Sequence, residues 1–418
     1  MGAAAGISAA VAAGSEEELR ASLSILTADS QAKLQNALKF VESLPVPVEP
    51  IPCLVKHELM GKMLPSVEEN ERALYDLMES SGYMHVDPRN VDKFRNLQHN
   101  PPDPETGKPT FKPYDRVDLV PYMKDKCDCE TIKFDATAYG GTRTVEITVN
   151  KVKGVEDKDR PAFIYFHGGV FIFGDHKYSH PEACFHAVNF NVTSFGVDYG
   201  VAPEVKAPDG GLNCYAAVKY ICENYAKFNL DPKKIAIGGG EGAGGCHTAM
   251  CCYQLAKRDE SHLVKFAWMD IAAVSNHWFE RTSTNSYSWV EWESTEGQFG
   301  PLECLIKTDT EYDPAVKPHH FSRKVVGEHK NDPEVFPVLM DDKLARKCPP
   351  TYVTSREFDV YRRDCEQYAE LMKKNKRLLM ELYLQPGTTH MSGMDPELPG
   401  MEELHDALKK FFTYFMAQ

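Results

Sequence analysis

Positive charge is scarce in this chain. Its 418 residues carry 47 Lys and Arg against 61 Asp and Glu, a formal net charge of −14 with the histidines neutral. Nucleic acid is bound by cations that displace counterions from phosphate, so no nucleic-acid partner is expected. The same repulsion disfavours an anionic membrane surface. Long apolar runs are also missing. No stretch approaches the roughly 18 uninterrupted apolar residues of a spanning helix, so no membrane span is expected. The 12 cysteines are scattered, with no pair of C-x-x-C units to suggest a zinc ribbon and no dense spacing to suggest a disulfide framework. Free thiols in a reducing cytosol follow, and with them a cytoplasmic location. No basic residue precedes Arg20, which itself follows Glu16, Glu17 and Glu18, so the positive start of a signal peptide is lacking. Gly2 is not followed by the Ser or Thr at position six that myristoylation wants; Gly6 stands there.

What is present is enough for a large core, at 42% hydrophobic residues. Ser15 and Glu18 form a capping box, Thr27 caps a second helical pattern ending near Leu44, and Pro45, Pro47, Pro50 and Pro52 make a stiff linker. Residues 1–52 therefore read as a helical appendage, an arm on which a protein partner could dock. Residues 53–126 read as a covering segment, with a helix at 66–81 and an irregular stretch after it.

From residue 127 the pattern changes. Glu130–Ala138 and Thr142–Val152 have strand character around Gly140-Gly141, which predicts a β-hairpin. Short apolar strands then alternate with helices. Strands are predicted at Ala162–Phe166, Val192–Asp198, Lys234–Ile237 (after a break at Asp231-Pro232), Val264–Ala272, Thr351–Ser355 and Leu378–Leu384. Helices are predicted at Leu212–Phe228, from the glycine-rich turn through Leu255, and near 360–374 and 401–416. This rhythm predicts an α/β fold with a mostly parallel central sheet and helices on both faces. The polar run 275–347, with Trp278, Trp289 and Trp292, interrupts it near the carboxyl ends of strands, where a lid or pocket wall belongs.

Three features carry chemistry. His167-Gly168-Gly169-Val170 follows a strand, and glycines there free backbone amides to hold an oxyanion. Gly238-Gly239-Gly240-Glu241-Gly242-Ala243-Gly244-Gly245 joins a strand to a helix, as a turn does whose apex stands above the sheet. Glu357-Phe358-Asp359 and His390 follow the last two strands, where a carboxylate can orient an imidazole. The glycine-rich turn also matches G-x-G-x-x-G at Gly240, Gly242 and Gly245, a dinucleotide signature. The acid that signature requires ends the following strand, whereas Asp259 and Glu260 precede it. His319-His320 lacks a third ligand, so no metal is expected, and no cofactor.

Taken in order with Asp198-Tyr199 and Ala202-Pro203-Glu204, these motifs resemble the hormone-sensitive-lipase-like esterases of the α/β-hydrolase fold. That group includes arylacetamide deacetylases and plant carboxylesterases. The resemblance covers residues 127–275 and 333–416. It implies ester hydrolysis by a Ser-His-Asp triad under a cap. Residue by residue, it implies Asp359 as triad acid and His390 as base. It implies Gly168, Gly169, Val170 and Ala243 as oxyanion donors, with His167 and Glu241 in support. Gly242 stands at the nucleophile position.

Glycine has no hydroxyl, so no acyl-enzyme can form at Gly242, and loss of a triad serine lowers turnover by about six orders of magnitude. The reading that follows is a degenerate esterase that binds a small apolar ester-like or carboxylate ligand. Gibberellin receptors of plants, within the resembling family, show such a scaffold turned to binding. Three alternatives stand beside it: an enzyme using the His390–Asp359 pair as general base, a non-catalytic scaffold, and an ordinary esterase carrying an engineered Ser→Gly change. Cys246, His247 and Thr248, just beyond the apex, are expected to pack inside the helix, and Asp198 to close a turn.

Overall fold

The computed structural model describes residues 48–50, 125–169, 171, 174–176, 180–201, 204–205, 207–240, 242–275, 331–357, 359, 361–385 and 401–417. The expected helices at 15–44 and 66–81, His319-His320 and the three tryptophans of the 275–347 run lie outside these residues.

Eight strands make one sheet: β1 Cys127–Asp135, β2 Thr144–Val152, β3 Arg160–Phe166, β4 Thr193–Asp198, β5 Leu230–Gly239, β6 Phe266–Asp270, β7 Thr351–Arg356 and β8 Tyr383–Gln385. Their spatial order is β1-β2-β4-β3-β5-β6-β7-β8. The pairs β1–β2 and β2–β4 are antiparallel, and every other pair is parallel. Six helices accompany the sheet among the described residues: α1 His180–Phe190, α2 Asp209–Glu223, α3 Ala243–Lys257, α4 Asp342–Ala345, α5 Arg362–Lys374 and α6 Met401–Ala417. This is the α/β-hydrolase sheet, with helices over both faces.

The strand sequences explain the two layers. Ala162–Phe166 of β3 is buried throughout, as a parallel strand covered on both sides must be. Its side chains alternate. Ala162, Ile164 and Phe166 join the core that holds residues of α2, α3 and α5. Phe163 and Tyr165 join an aromatic core on the other face, with Phe190 of α1 and Phe411, Phe412 and Phe415 of α6. There Phe190 stacks on Phe412 at 4.0 Å between ring centroids, and Phe163 meets Phe412 edge-on at 4.9 Å.

Several boundaries differ from expectation. The first hairpin strand stops at Asp135, whose carboxylate accepts the Thr137 N–H (3.0 Å) and turns 136–139 into a short 3₁₀ helix. Asp231-Pro232 does not interrupt β5. Arg160 pairs with Leu230 and Ala162 with Ile235, so the intervening residues bulge, and Pro232, with no N–H to give, is accommodated there. Helix α2 starts earlier than expected and ends at Glu223; a 3₁₀ turn, Tyr225–Phe228, follows and closes on Asn229 at φ 59°. Strand β6 is trimmed to Phe266–Asp270, and β8 begins only at Tyr383, Leu378 making an isolated bridge to Thr351. Helix α1 had no helical period to betray it, because it is buried nearly all round, at Pro181, Glu182, Ala183, Cys184, His186, Ala187 and Phe190. Within 331–347, Val335, Phe336, Met340 and Ala345 are buried, and this stretch packs on α3 and α5.

Candidate active site

The turn from β5 into α3 is a sharp one. Gly242 precedes the first residue of α3 with φ 67° and ψ −74°, a backbone state that strains any residue with a side chain. It is pinned from outside. The Gly242 N–H donates to the Ile271 carbonyl at 2.7 Å, and the Gly242 carbonyl accepts from Ala273 N–H (3.3 Å) and Cys246 N–H (3.0 Å). The helix then starts flush against the end of β3: a Cβ on Gly244 would sit 2.2 Å from the Phe166 carbonyl oxygen and 2.9 Å from that of His167. Only glycine fits at 244.

That contact brings the elbow up to the H-G-G turn. His167 is fully buried and stacks on Tyr199 with ring centroids 4.3 Å apart. Its Nδ1 lies 2.6 Å from the Gly168 carbonyl, which can only accept, so the proton sits on Nδ1. The Tyr199 hydroxyl donates to the His167 carbonyl at 2.8 Å. Burial lowers the His167 pKa and keeps the ring neutral. Gly169 follows at φ 112°, open only to glycine.

The residues just past the apex are core. Cys246, His247 and Thr248 are all buried, and the Thr248 hydroxyl donates to the Gly244 carbonyl (2.9 Å). His247 packs on Tyr199 (4.1 Å between centroids), and burial pushes its pKa down to about 3. Burial raises the Cys246 thiol well above its ordinary value. The Cys246 thiol is therefore un-ionised at neutral pH and no nucleophile, and the neutral His247 ring, with so low a pKa, is only a weak base.

Two strands across, Asp359 follows β7 and is completely buried, with Oδ1 accepting the Tyr361 N–H at 2.7 Å. Between the two turns lies a polar brace. Asp270 ends β6 and accepts from the two terminal guanidinium nitrogens of Arg356 at 2.9 Å each, while the Thr354 hydroxyl donates to it at 2.6 Å. Below it, Asp364 in α5 accepts Val274 N–H (2.9 Å), Ser275 N–H (2.9 Å) and the Ser275 hydroxyl (2.7 Å). Burial still pushes the Asp364 carboxyl up to about 7.

Gly168, Gly169, Gly242, Ala243 and Asp359 thus fall at the carboxyl ends of β3, β5 and β7, the edge where parallel sheets carry their sites. Val170, Glu241 and His390 lie outside the described residues. Asp198 closes its turn as expected, accepting Gly200 N–H at 3.0 Å. The acids of the dinucleotide reading are engaged elsewhere, Asp259 with Lys347 and Glu260 with Lys219 and Tyr215. Sequence reasoning named Tyr199 within a motif without a role for it, and missed the Asp270–Arg356 pair. The one signal for the pair was a charged residue ending each of two adjacent apolar strands.

A family profile described as alpha/beta hydrolase fold matches residues 163–392, more than half of the chain. The chain belongs to that family. Among its relatives is Lipase 2 of Moraxella sp. (strain TA144), 28% identical over 272 residues, which span 61% of this chain and 60% of the lipase. Arylacetamide deacetylase of Bos taurus is 23% identical over 267 residues, 52% of this chain and 64% of that protein. The chain therefore spans under two thirds of the length of these relatives. The crystal structure of an esterase from Pyrobaculum calidifontis superposes with a TM-score of 0.62 at 20% identity, covering 84% of this chain and 98% of that one. This last likeness is one of fold. No helix among the described residues is long and apolar enough to cross a membrane.

Proposed function

We propose that the chain is a degenerate ester hydrolase, which holds a small apolar ester or carboxylate at the elbow without turning it over. The observation that carries this reading is Gly242. It keeps the strained backbone of a nucleophile elbow, at φ 67° and ψ −74°, and offers no hydroxyl. In this reading the first amide of α3, that of Ala243, and those of the H-G-G turn face the ligand's oxygen, aided by the partial positive charge of the helix start. Asp359 orients His390, which finds no serine to deprotonate. Relatives named as a lipase and a deacetylase support the ester class. In this reading residues 53–126 and the part of the 275–347 insertion before residue 331 supply the cap, and residues 1–52 a docking arm.

The test restores the hydroxyl. The full chain and its Gly242→Ser variant are assayed on short-chain aryl esters and exposed to a fluorophosphonate probe. The expected result is labelling and turnover in the variant alone, at least about a thousandfold above the parent, since a lost triad serine suppresses turnover by more than that. Turnover by the parent that disappears in His390→Ala would replace this reading with general-base catalysis. A variant that stays inert and unlabelled would replace it with a scaffold role.

A further inference from the structure

Far from the elbow, the antiparallel edge of the sheet gathers sulfur and imidazole. Strand β1 is the outermost strand, and Cys127 and Cys129, two residues apart, share one of its faces. Helix α1 packs against β1. Its first residue is His180, and Cys184 lies one turn on, on the same side of the helix. Cys129 Sγ stands 3.8 Å from Cys184 Sγ and 3.1 Å from His180 Nε2. The three donor atoms lie within 4.8 Å of one another. Cys184 Sγ also faces Asn150 Oδ1 at 3.5 Å, and Cys127 Sγ reaches the Cys184 carbonyl at 3.8 Å. Ala187 and the partly buried Val152, Phe185 and Val188 close an apolar floor beneath the group.

We propose that Cys129, His180 and Cys184 form a zinc site that clips the edge strand to α1. Zinc–thiolate bonds of about 2.3 Å in a tetrahedron hold two sulfurs about 3.8 Å apart, the separation already present between Cys129 and Cys184. A disulfide would bring the same sulfurs to about 2.0 Å. The donor set is two thiols and an imidazole with no carboxylate, which suits a borderline-soft cation and not calcium or magnesium. Cys129 is exposed, so the ion has access from solvent and the fourth position is left to water. Asn150 Oδ1 accepts the Cys184 S–H in the metal-free protein, a bond given up when that thiol is deprotonated on the ion. Binding displaces the protons of the two thiols to solvent and leaves the imidazole neutral. The clip joins two elements that otherwise share only a small satellite core, and its expected role is structural.

The full chain, purified with reductant and stripped with a chelator, is titrated with Co(II) and then Zn(II). One Co(II) per chain is expected, with a thiolate charge-transfer band and the visible absorption of a tetrahedral centre, both abolished by zinc. The thermal midpoint should rise with zinc concentration. Cys129→Ser and His180→Gln should each weaken binding by about 100-fold or more, beyond what loss of a mere supporting partner costs. Cys129 is exposed and His180 partly so, so both variants are expected to fold, with circular dichroism as the check. Cys127→Ser should bind like the parent. The proposal is overturned if no tetrahedral cobalt spectrum develops, or if folded Cys129→Ser binds as the parent does. A Cys129–Cys184 disulfide in peptide maps of the reduced preparation, or uptake of Cu(I) with zinc refused, would overturn it as well.

Discussion

The turns after β5 and β7 carry the two halves of the candidate site, and they are held in different ways. The β5 turn is fixed by backbone against backbone: Gly242 between Ile271 and Ala273, Gly244 against Phe166. The β7 turn is fixed by side chains: Arg356 on Asp270, the Asp359 carboxylate on the Tyr361 N–H, Asp364 on Ser275. A turn shaped by sterics does not need its functional side chain in order to keep its form. A turn shaped by buried polar groups is made of the same kind of residue that does chemistry, and it loses its shape when they go.

The contrast can be broken on the polar side first. Arg356→Met should leave Asp270 buried without its cation and cost about 3–5 kcal/mol, read from the denaturant midpoint. Adding Asp270→Leu to it should recover most of that loss. A single variant as stable as the parent would mean that the β7 side is not held by its polar groups. On the steric side, Gly244→Ala should cost about 1–3 kcal/mol, because its methyl would meet backbone oxygens that cannot move aside. Gly240→Ala is the control, since its methyl would find only ordinary contacts from 3.7 Å outward, and it should cost under about 1 kcal/mol. Equal losses in the two would erase the distinction.

The most gradual effect is in pH. The Asp364 carboxyl titrates at about 7 when folded and at about 3.9 when unfolded, so between these values the folded state holds the extra proton. Its contribution to stability is full below about pH 4 and is lost as pH rises through about 7. Asp364→Asn should remove this falling component, at most about 1.4 kcal/mol per pH unit, from chemical denaturation measured across that window. An unchanged slope would show that the three donors around Asp364 keep it ionised throughout.

The parallel half of the sheet was legible because its strands are continuous apolar runs ended by glycine or acid, as at Phe166-His167-Gly168 and Ile237-Gly238-Gly239. The elbow was legible for the same reason, since glycine at 242 and 244 reports a backbone demand directly. Groups that meet only across the fold were not. Asp270 and Arg356 are 86 residues apart, and Cys129 lies 51 and 55 residues from His180 and Cys184. No local spacing announces such a cluster; His-x-x-x-Cys at 180–184 is its one trace. Helix α1 was hidden because a helix buried on all sides has no polar stripe to set its period.

The short stretch Ile271–Ser275 touches both turns at once. It receives the Gly242 amide on one side, and on the other it gives Val274 and Ser275 to Asp364 and the Ala272 N–H to Cys365. It works as a splint laid across the gap left by β6. These few bonds join α5 to the apex of the elbow without passing through any ligand. The apex of the elbow holds its shape because its neighbours brace it.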